Sequence, residues 1–311
     1  MRGHDFVVGA DNEAVRKRLA ERIGNYGAGA GELENNGWPD EFRAVFGDDL
    51  PRSQLVTYEN ISLALSAYQR SQIFIDSPWK AYLEGDYKAI SDRAKRGAVV
   101  FFTLKPLEQF NAEVACSDCH EGDRFTNEDF HAGGIPQIGP GRGDRAAATM
   151  DDFGRGNLYT SILRDYRFRV PSLLNVASTG PWGHSGSYGT LRDIVAHYDL
   201  LDERVDAYFA DGGWCNLDQF KDMANCAGLY PQAEANTQKA VRRTLEDNRN
   251  QSGIPLIDFT ESEIDQLVAF LQTLTDPCIE DRDCLSPWIP TPEEAPDDHQ
   301  LNAVDANGKP L

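Results

Sequence analysis

Cys116-Ser-Asp-Cys-His120 is the stretch on which the reading of this chain turns. Its C-x-x-C-H spacing is the one that fixes a haem covalently and supplies an axial ligand to the iron. Two thiols three positions apart can each add to one vinyl group along the same porphyrin edge. The next residue, His120, then lies under the ring with an imidazole nitrogen turned to the metal. With six Cys and six His in 311 residues, the pentapeptide is a specific signal. Three other readings use the same residues: a Cys116–Cys119 disulfide, a zinc half-site and a thioredoxin-like redox pair. A zinc site needs a second pair at ligand spacing, and none is visible. A thioredoxin-like motif expects a strand before it and a helix after, whereas the flanks are Asn-Ala-Glu-Val-Ala and Glu-Gly-Asp-Arg-Phe. Covalent haem c is the expectation.

Outward from the motif, the periodic segments read as helix, and no alternating strand pattern persists. Residues 90–104 precede it and contain Gly97, which costs a helix about 1 kcal/mol relative to Ala but lets another helix approach closely. The expected partner is residues 261–274, opened by the box Thr260-x-x-Glu263 and carrying Ile264, Leu267, Val268, Leu271 and Leu274 as one stripe. Further upstream, residues 12–23 place Val15, Leu19 and Ile23 on one face, before a Gly-rich break at Gly24–Gly37. Thr57 reads as the N-cap of a helix turning Ile61, Leu65 and Tyr68 inward. Residues 131–157, rich in Gly, Pro and Asp, read as a long loop around the haem edge. From Pro287 onward the acidic, Pro-rich sequence reads as a solvated tail without regular structure.

The bulk composition sets outer bounds. A net charge of −20 argues against nucleic acid and favours a basic docking partner, such as a small electron-carrier protein. The longest apolar run, Gly97-Ala-Val-Val-Phe-Phe102, is far too short to span a membrane. Cys215, Cys226, Cys278 and Cys284 fall as two local pairs, and three connectivities are open to them. Local pairing, Cys215–Cys226 and Cys278–Cys284, is the simplest and implies an oxidising compartment. Haem c attachment also takes place outside the bacterial cytoplasm, so the periplasm is expected. Met1-Arg-Gly-His-Asp-Phe shows no export signal, which suggests a mature or truncated piece.

The order of several stretches resembles one family, the bacterial di-haem cytochrome c peroxidases and the related di-haem enzyme that matures methylamine dehydrogenase. These are Asp86-Tyr-Lys-Ala-Ile-Ser-Asp-Arg-Ala-Lys-Arg-Gly97, the haem motif running on to Phe125, Asp152-Phe-Gly-Arg155 and Phe168-Arg-Val-Pro-Ser-Leu-Leu-Asn-Val176. Thr179-Gly-Pro-Trp-Gly-His-Ser-Gly186, Thr190-Leu-Arg-Asp-Ile-Val-Ala-His-Tyr198 and Leu274-Thr-Asp276 complete the series. The resemblance implies an all-α protein with a cytochrome c-like haem domain over residues 89–286 and an acidic tail over 287–311. Residues 1–88, ending with Ala64-Leu-Ser-Ala-Tyr-Gln-Arg70, would be a truncated first domain. The family pattern has two C-x-x-C-H motifs and this chain has one. The resemblance therefore implies that the peroxide-meeting haem belongs upstream, and that the electron-transfer haem is the one retained.

His120 is the proximal ligand by the motif itself. For the other face of the iron the candidates are Met150, Met223, His131, His184, His197 and Tyr198. In a helix opened by the box Thr190-x-x-Asp193, Leu191, Ile194, Val195 and Tyr198 share one face. His197 is rotated by about 100° and is expected at solvent or a helix end. The family places the distal ligand of its second haem on this helix, as Met in the peroxidases and Tyr in the maturation-type enzymes, and Tyr198 matches the latter. A core tyrosine bonded to a haem propionate is the alternative role. The family also implies a calcium ion held by carbonyls matching Thr179 and Pro181, plus an upstream Asn. His184 and Arg169 are candidates to bond haem propionates or to position the interdomain loop, with a purely structural role as the alternative for each. The function expected is a haem c oxidoreductase reducing hydrogen peroxide with electrons from a small cytochrome or cupredoxin. A mono-haem electron carrier and a haem-bearing sensor are the alternatives from other classes.

Overall fold

The computed structural model describes residues 12–47, 49–103, 105–107, 112–139, 141, 149–158, 162–249 and 258–299. It divides into two compact units: residues 75–277, and residues 1–74 together with 278–311. The sequence reading puts these boundaries at 88/89 and 286/287. The difference at the first arises because the short helix Pro78–Leu83 belongs with the larger unit. Its Trp79 N–H donates to the Thr273 carbonyl at 3.0 Å, and its indole meets the Phe270 ring edge-on at 5.0 Å.

The larger unit is organised around two helices, Asp92–Phe102 and Glu261–Gln272. Ser91 caps the first through the Ala94 N–H. Thr260 and Glu263 cap the second reciprocally, each side chain accepting the other's backbone N–H. The helices meet at Gly97, as its position suggested. A Cβ there would collide with the Gln266 carbonyl and stand 2.8 Å from the Phe270 Cβ. Phe101, Phe270, Ile264, Leu267 and Leu274 are almost fully buried around the crossing and form the main core. The helix Leu191–His197 packs on this pair, while Leu201–Ala210 and Ala233–Arg249 build a second layer.

Two short antiparallel pairs interrupt the helical architecture. Lys105–Leu107 pairs with Ala112–Val114, and Phe130–Ala132 with Arg167–Arg169. Three-residue strands carry too few positions for an alternating pattern to show in the sequence. The second pair also gives the 131–157 segment an anchored start, and residues 142–148 of that segment lie outside the described residues. Cys215 is bonded to Cys226 beside the buried Trp214. No helix among the described residues is long and apolar enough to cross a membrane.

The smaller unit packs Ala20, Phe42, Leu55, Val56 and Ile61 together from the helices Asn12–Gly24, Trp38–Phe46, Arg52–Leu55 and Tyr58–Ser71. Thr57 caps the last of these through the Asn60 N–H. Its expected inward face is corrected, because Leu65 and Tyr68 are 57% and 48% exposed. Only the first turn, at Ile61, reaches this small core, and the Tyr68 hydroxyl instead donates to the Trp288 carbonyl. The expectation of a free tail is corrected as well. Cys278 is bonded to Cys284, Trp288 packs edge-on against Phe74, and the Trp38 indole N–H donates to Asp297. Short 3-10 turns at Ser286–Trp288 and Pro292–Glu294 lie between these ties.

Gly97→Ala tests the crossing by the sign of its effect. At an open helical position the change gains about 1 kcal/mol. Here overpacking should outweigh that gain and destabilise by roughly 1–3 kcal/mol, read as a lower urea midpoint.

Candidate functional site

Cys116–Asp118 form a 3-10 turn, held because Asp118 Oδ2 accepts the Ala115 N–H at 2.9 Å. The Cys116 carbonyl accepts the N–H groups of Cys119 and His120, so the motif closes into one tight turn. Its three functional side chains line a single cavity of about 430 Å³, within the size range of small-molecule and cofactor sites. The two motif cysteines are not joined in a disulfide. Burial, with Asp118, Asp129 and Glu121 adding to it, pushes the Cys119 thiol up to about 11.

The orientation of His120 is set by backbone. Its Nδ1 lies 3.0 Å from the Phe125 carbonyl, which requires the proton on Nδ1 and leaves Nε2 as the coordinating atom. Phe125 holds that carbonyl in place from the left-handed region, at φ 51°. Burial lowers the imidazole pKa, while the Phe125 and Pro171 carbonyls act in the opposite sense. The segment after the motif is pinned by Thr126 Oγ1 donating to the Val170 carbonyl at 2.7 Å and by the Val170 N–H donating to Asp129.

The Leu191–His197 helix brings its expected face to the same cavity: Leu191, Ile194, Val195 and Tyr198 all line it. Burial pushes the Tyr198 phenol up to about 12, with the charges of Cys119 and Cys116 adding to the shift. His197 ends its helix, one of the two places expected for it, but it is 1% exposed rather than at solvent. Its Nδ1 accepts the Tyr188 hydroxyl at 2.7 Å, and its Nε2 meets the Gly133 carbonyl at 2.8 Å, so both nitrogens are committed within the protein. Burial drives its pKa down to about 4, and burial raises that of Tyr188. Met150 and Met223 are 40% and 43% exposed and do not line the cavity. His131 and His184 do.

The remaining candidates sit on the cavity wall. The His184 ring stacks on Phe168 at 3.6 Å, with Nε2 4.0 Å from Asp152, and burial lowers it to about 4 against the pull of that carboxylate. Arg169 lines the cavity and is exposed, as a partner for carboxylates at its mouth would be. Thr179 and Pro181 are also exposed wall residues, and the Thr179 hydroxyl donates to the Val176 carbonyl. Among the described residues there is no cluster of three His, Cys, Asp or Glu suited to a metal ion. The lining is predominantly apolar, and its polar members include both motif cysteines, an oriented imidazole and a buried phenol, with His131, His184, Arg169 and Tyr166 further along the wall. That donor set fits a covalently bound haem.

This arrangement in a mainly helical frame is one that suits a c-type haem protein. The chain belongs to the family of the di-haem cytochrome c peroxidases and the methylamine utilization protein MauG. It is 31% identical over 252 residues to MauG of Paracoccus denitrificans, covering 76% of this chain and 56% of that one. It is 31% identical over 158 residues to cytochrome c551 peroxidase of Pseudomonas aeruginosa, covering 50% and 40%. The chain thus spans about half the length of the curated relatives it matches. A solved structure of a MauG-like protein associated with microbial copper homeostasis shares the fold, with a TM-score of 0.53 and 21% identity over 92% of this chain and 69% of that one. No family model matches the chain.

Cys116→Ala with Cys119→Ala should abolish the haem stain that survives denaturation, whereas acid-acetone should leave it in the parent. His184 gives a pH test. Its folded value near 4 lies below the ordinary 6.5, so between these the unfolded chain binds more protons. Its contribution to stability is full above pH 6.5 and is lost as pH falls, by up to ~1.4 kcal/mol per unit. His184→Gln should flatten that slope in urea midpoints taken from pH 7 to 4.

Proposed function

We propose that this chain carries one haem c on Cys116 and Cys119, with His120 and Tyr198 as axial ligands, and acts as the electron-transferring part of a peroxide-reducing oxidoreductase. The observation that carries the reading is one cavity lined by both motif thiols, an imidazole with its Nδ1 committed to the Phe125 carbonyl, and a buried phenol. A bound haem supplies a centre that exchanges single electrons.

The chain's own residues prepare that chemistry. His120 presents Nε2 in a fixed orientation. Tyr198 can bind as an anionic oxygen donor only when a cationic centre offsets the burial that raises its pKa. Such a ligand favours the ferric over the ferrous state, unlike the neutral thioether of Met. The apolar walls keep water away, which strengthens each charge interaction inside. In this reading residues 1–74 are the closing part of a first, peroxide-reacting domain, and the acidic surface attracts a basic electron-donor protein. Disulfides and haem c attachment together suit the periplasm.

Ferric spectra and midpoint potentials of haem-loaded Tyr198→Phe and Tyr198→Met test the assignment. Each tenfold loss of preference for the ferric state raises the potential by ~59 mV, and a rise of at least that size is expected in Tyr198→Met. An unchanged spectrum in Tyr198→Phe would remove Tyr198 from the iron. If His120 and Tyr198 both held the iron, no position would be left for peroxide, so the chain alone should turn over little hydrogen peroxide in steady-state assays with a reduced small cytochrome.

A further inference from the structure

A row of ionisable groups leads away from the cavity, starting at a lining residue that is not among those proposed to bind the haem. Tyr166 lines the cavity and is 8% exposed. Its hydroxyl donates to Asp151 Oδ2 at 3.0 Å, and Asp151 is fully buried. The same oxygen accepts from Lys239 Nζ at 3.0 Å, and the Lys239 side chain is 40% exposed and also held by Asn236 Oδ1. Asp151 Oδ1 is buried with no hydrogen-bond partner among the described residues. Leaving such an oxygen unsatisfied costs about 1–3 kcal/mol, so the fold keeps an idle acceptor beside a phenol at its cofactor cavity. The other buried phenol–base pair, Tyr188 with His197, differs in one respect. Both nitrogens of His197 are committed, and nothing in that pair leads a proton outward.

We propose that Tyr166 is an oxidisable residue of this site, with Asp151 as the base that takes its proton. A one-electron oxidant in the cavity, an oxidised haem-type metal centre, accepts one electron from the phenol. The O–H bond breaks as the proton moves to Asp151 Oδ2. The products are a neutral phenoxyl radical at Tyr166, a neutral carboxylic acid at Asp151 and an oxidant reduced by one electron. Oδ1 then supplies the lone pair that keeps the Lys239 ammonium partnered. Without the base, the ring would be left as a cation in a dry interior, which is costly. The proposal rests on the haem reading for its oxidant. It assigns Tyr166 as an outlet for oxidising equivalents beyond the two axial ligands.

The test is electron paramagnetic resonance on haem-loaded chain with ring-deuterated tyrosine, frozen after oxidation. One arm uses hydrogen peroxide, and the other uses hexachloroiridate(IV), which needs no peroxide chemistry. In the hexachloroiridate arm a tyrosyl signal narrowed by deuteration is expected, falling about tenfold in Tyr166→Phe and in Asp151→Asn, as expected for loss of a charge-assisted hydrogen bond, and unchanged in Tyr188→Phe. Lys239→Gln removes a cation from the base, so the carboxylate holds a proton more tightly and the yield should rise. Covalent haem stain and the ferric spectrum report whether each variant has folded. A signal in the hexachloroiridate arm alone supports Tyr166 and agrees with a chain whose peroxide-reacting part lies elsewhere, whereas an equal signal in the peroxide arm overturns the electron-transfer reading and leaves Tyr166 standing. No Tyr166-dependent signal in either arm, a full signal in Asp151→Asn, or a fall in Lys239→Gln overturns the proposal.

Discussion

The approach of two backbones at Gly97 is the contact on which the larger unit depends. With no Cβ on one side, the Gln266 carbonyl and the Phe270 side chain of the opposing helix come against the chain itself. That closeness lets Phe101 from one helix and Leu267 and Leu271 from the other converge on the cavity wall. Capping fixes where each helix starts, at Ser91 and at Thr260, and therefore which residues meet at the crossing. The crossing thus supplies one apolar wall of the site, and Leu191, Ile194 and Val195 supply another.

The polar half is organised on a different principle. Inside a dry cavity each polar group needs a definite partner, and the partners here are mostly main-chain carbonyls. Phe125 serves His120, and Val176 serves both Thr179 and Trp182. A left-handed conformation at Phe125 costs of order 1–3 kcal/mol, and the surrounding segment is bonded at Thr126 and Val170 firmly enough to hold it. The imidazole is thereby oriented before any metal arrives.

Features written in side-chain type and spacing were legible in the sequence. The haem motif, the capped helix stripe at 261–274 and the face from Leu191 to Tyr198 each follow from chemistry or from the helical period, as does the need for a small residue at position 97. The two disulfides followed from local spacing. What escaped was set by main chain or by distant contacts. A carbonyl such as that of Phe125 has no signature in residue type. His197 falls off its helix's apolar face by rotation, yet Tyr188 and Gly133 enclose it from elsewhere in the chain. Leu65 and Tyr68 follow the period of a buried face, but the core of their unit ends a turn earlier. The tail looked solvated because its charges and prolines do not reveal that Trp38 and Phe74 hold it.

The smaller unit is assembled from two pieces of chain separated by the whole of the larger one. Residues 278–299 close onto residues more than two hundred positions earlier in the chain. The larger unit, continuous in sequence, finds every buried member of its main core within residues 98–274. The smaller one must close a long loop, at an entropic cost that grows only slowly with length. Few contacts therefore suffice to hold its second piece, and those of Trp38 with Asp297 and of Phe74 with Trp288 are among them.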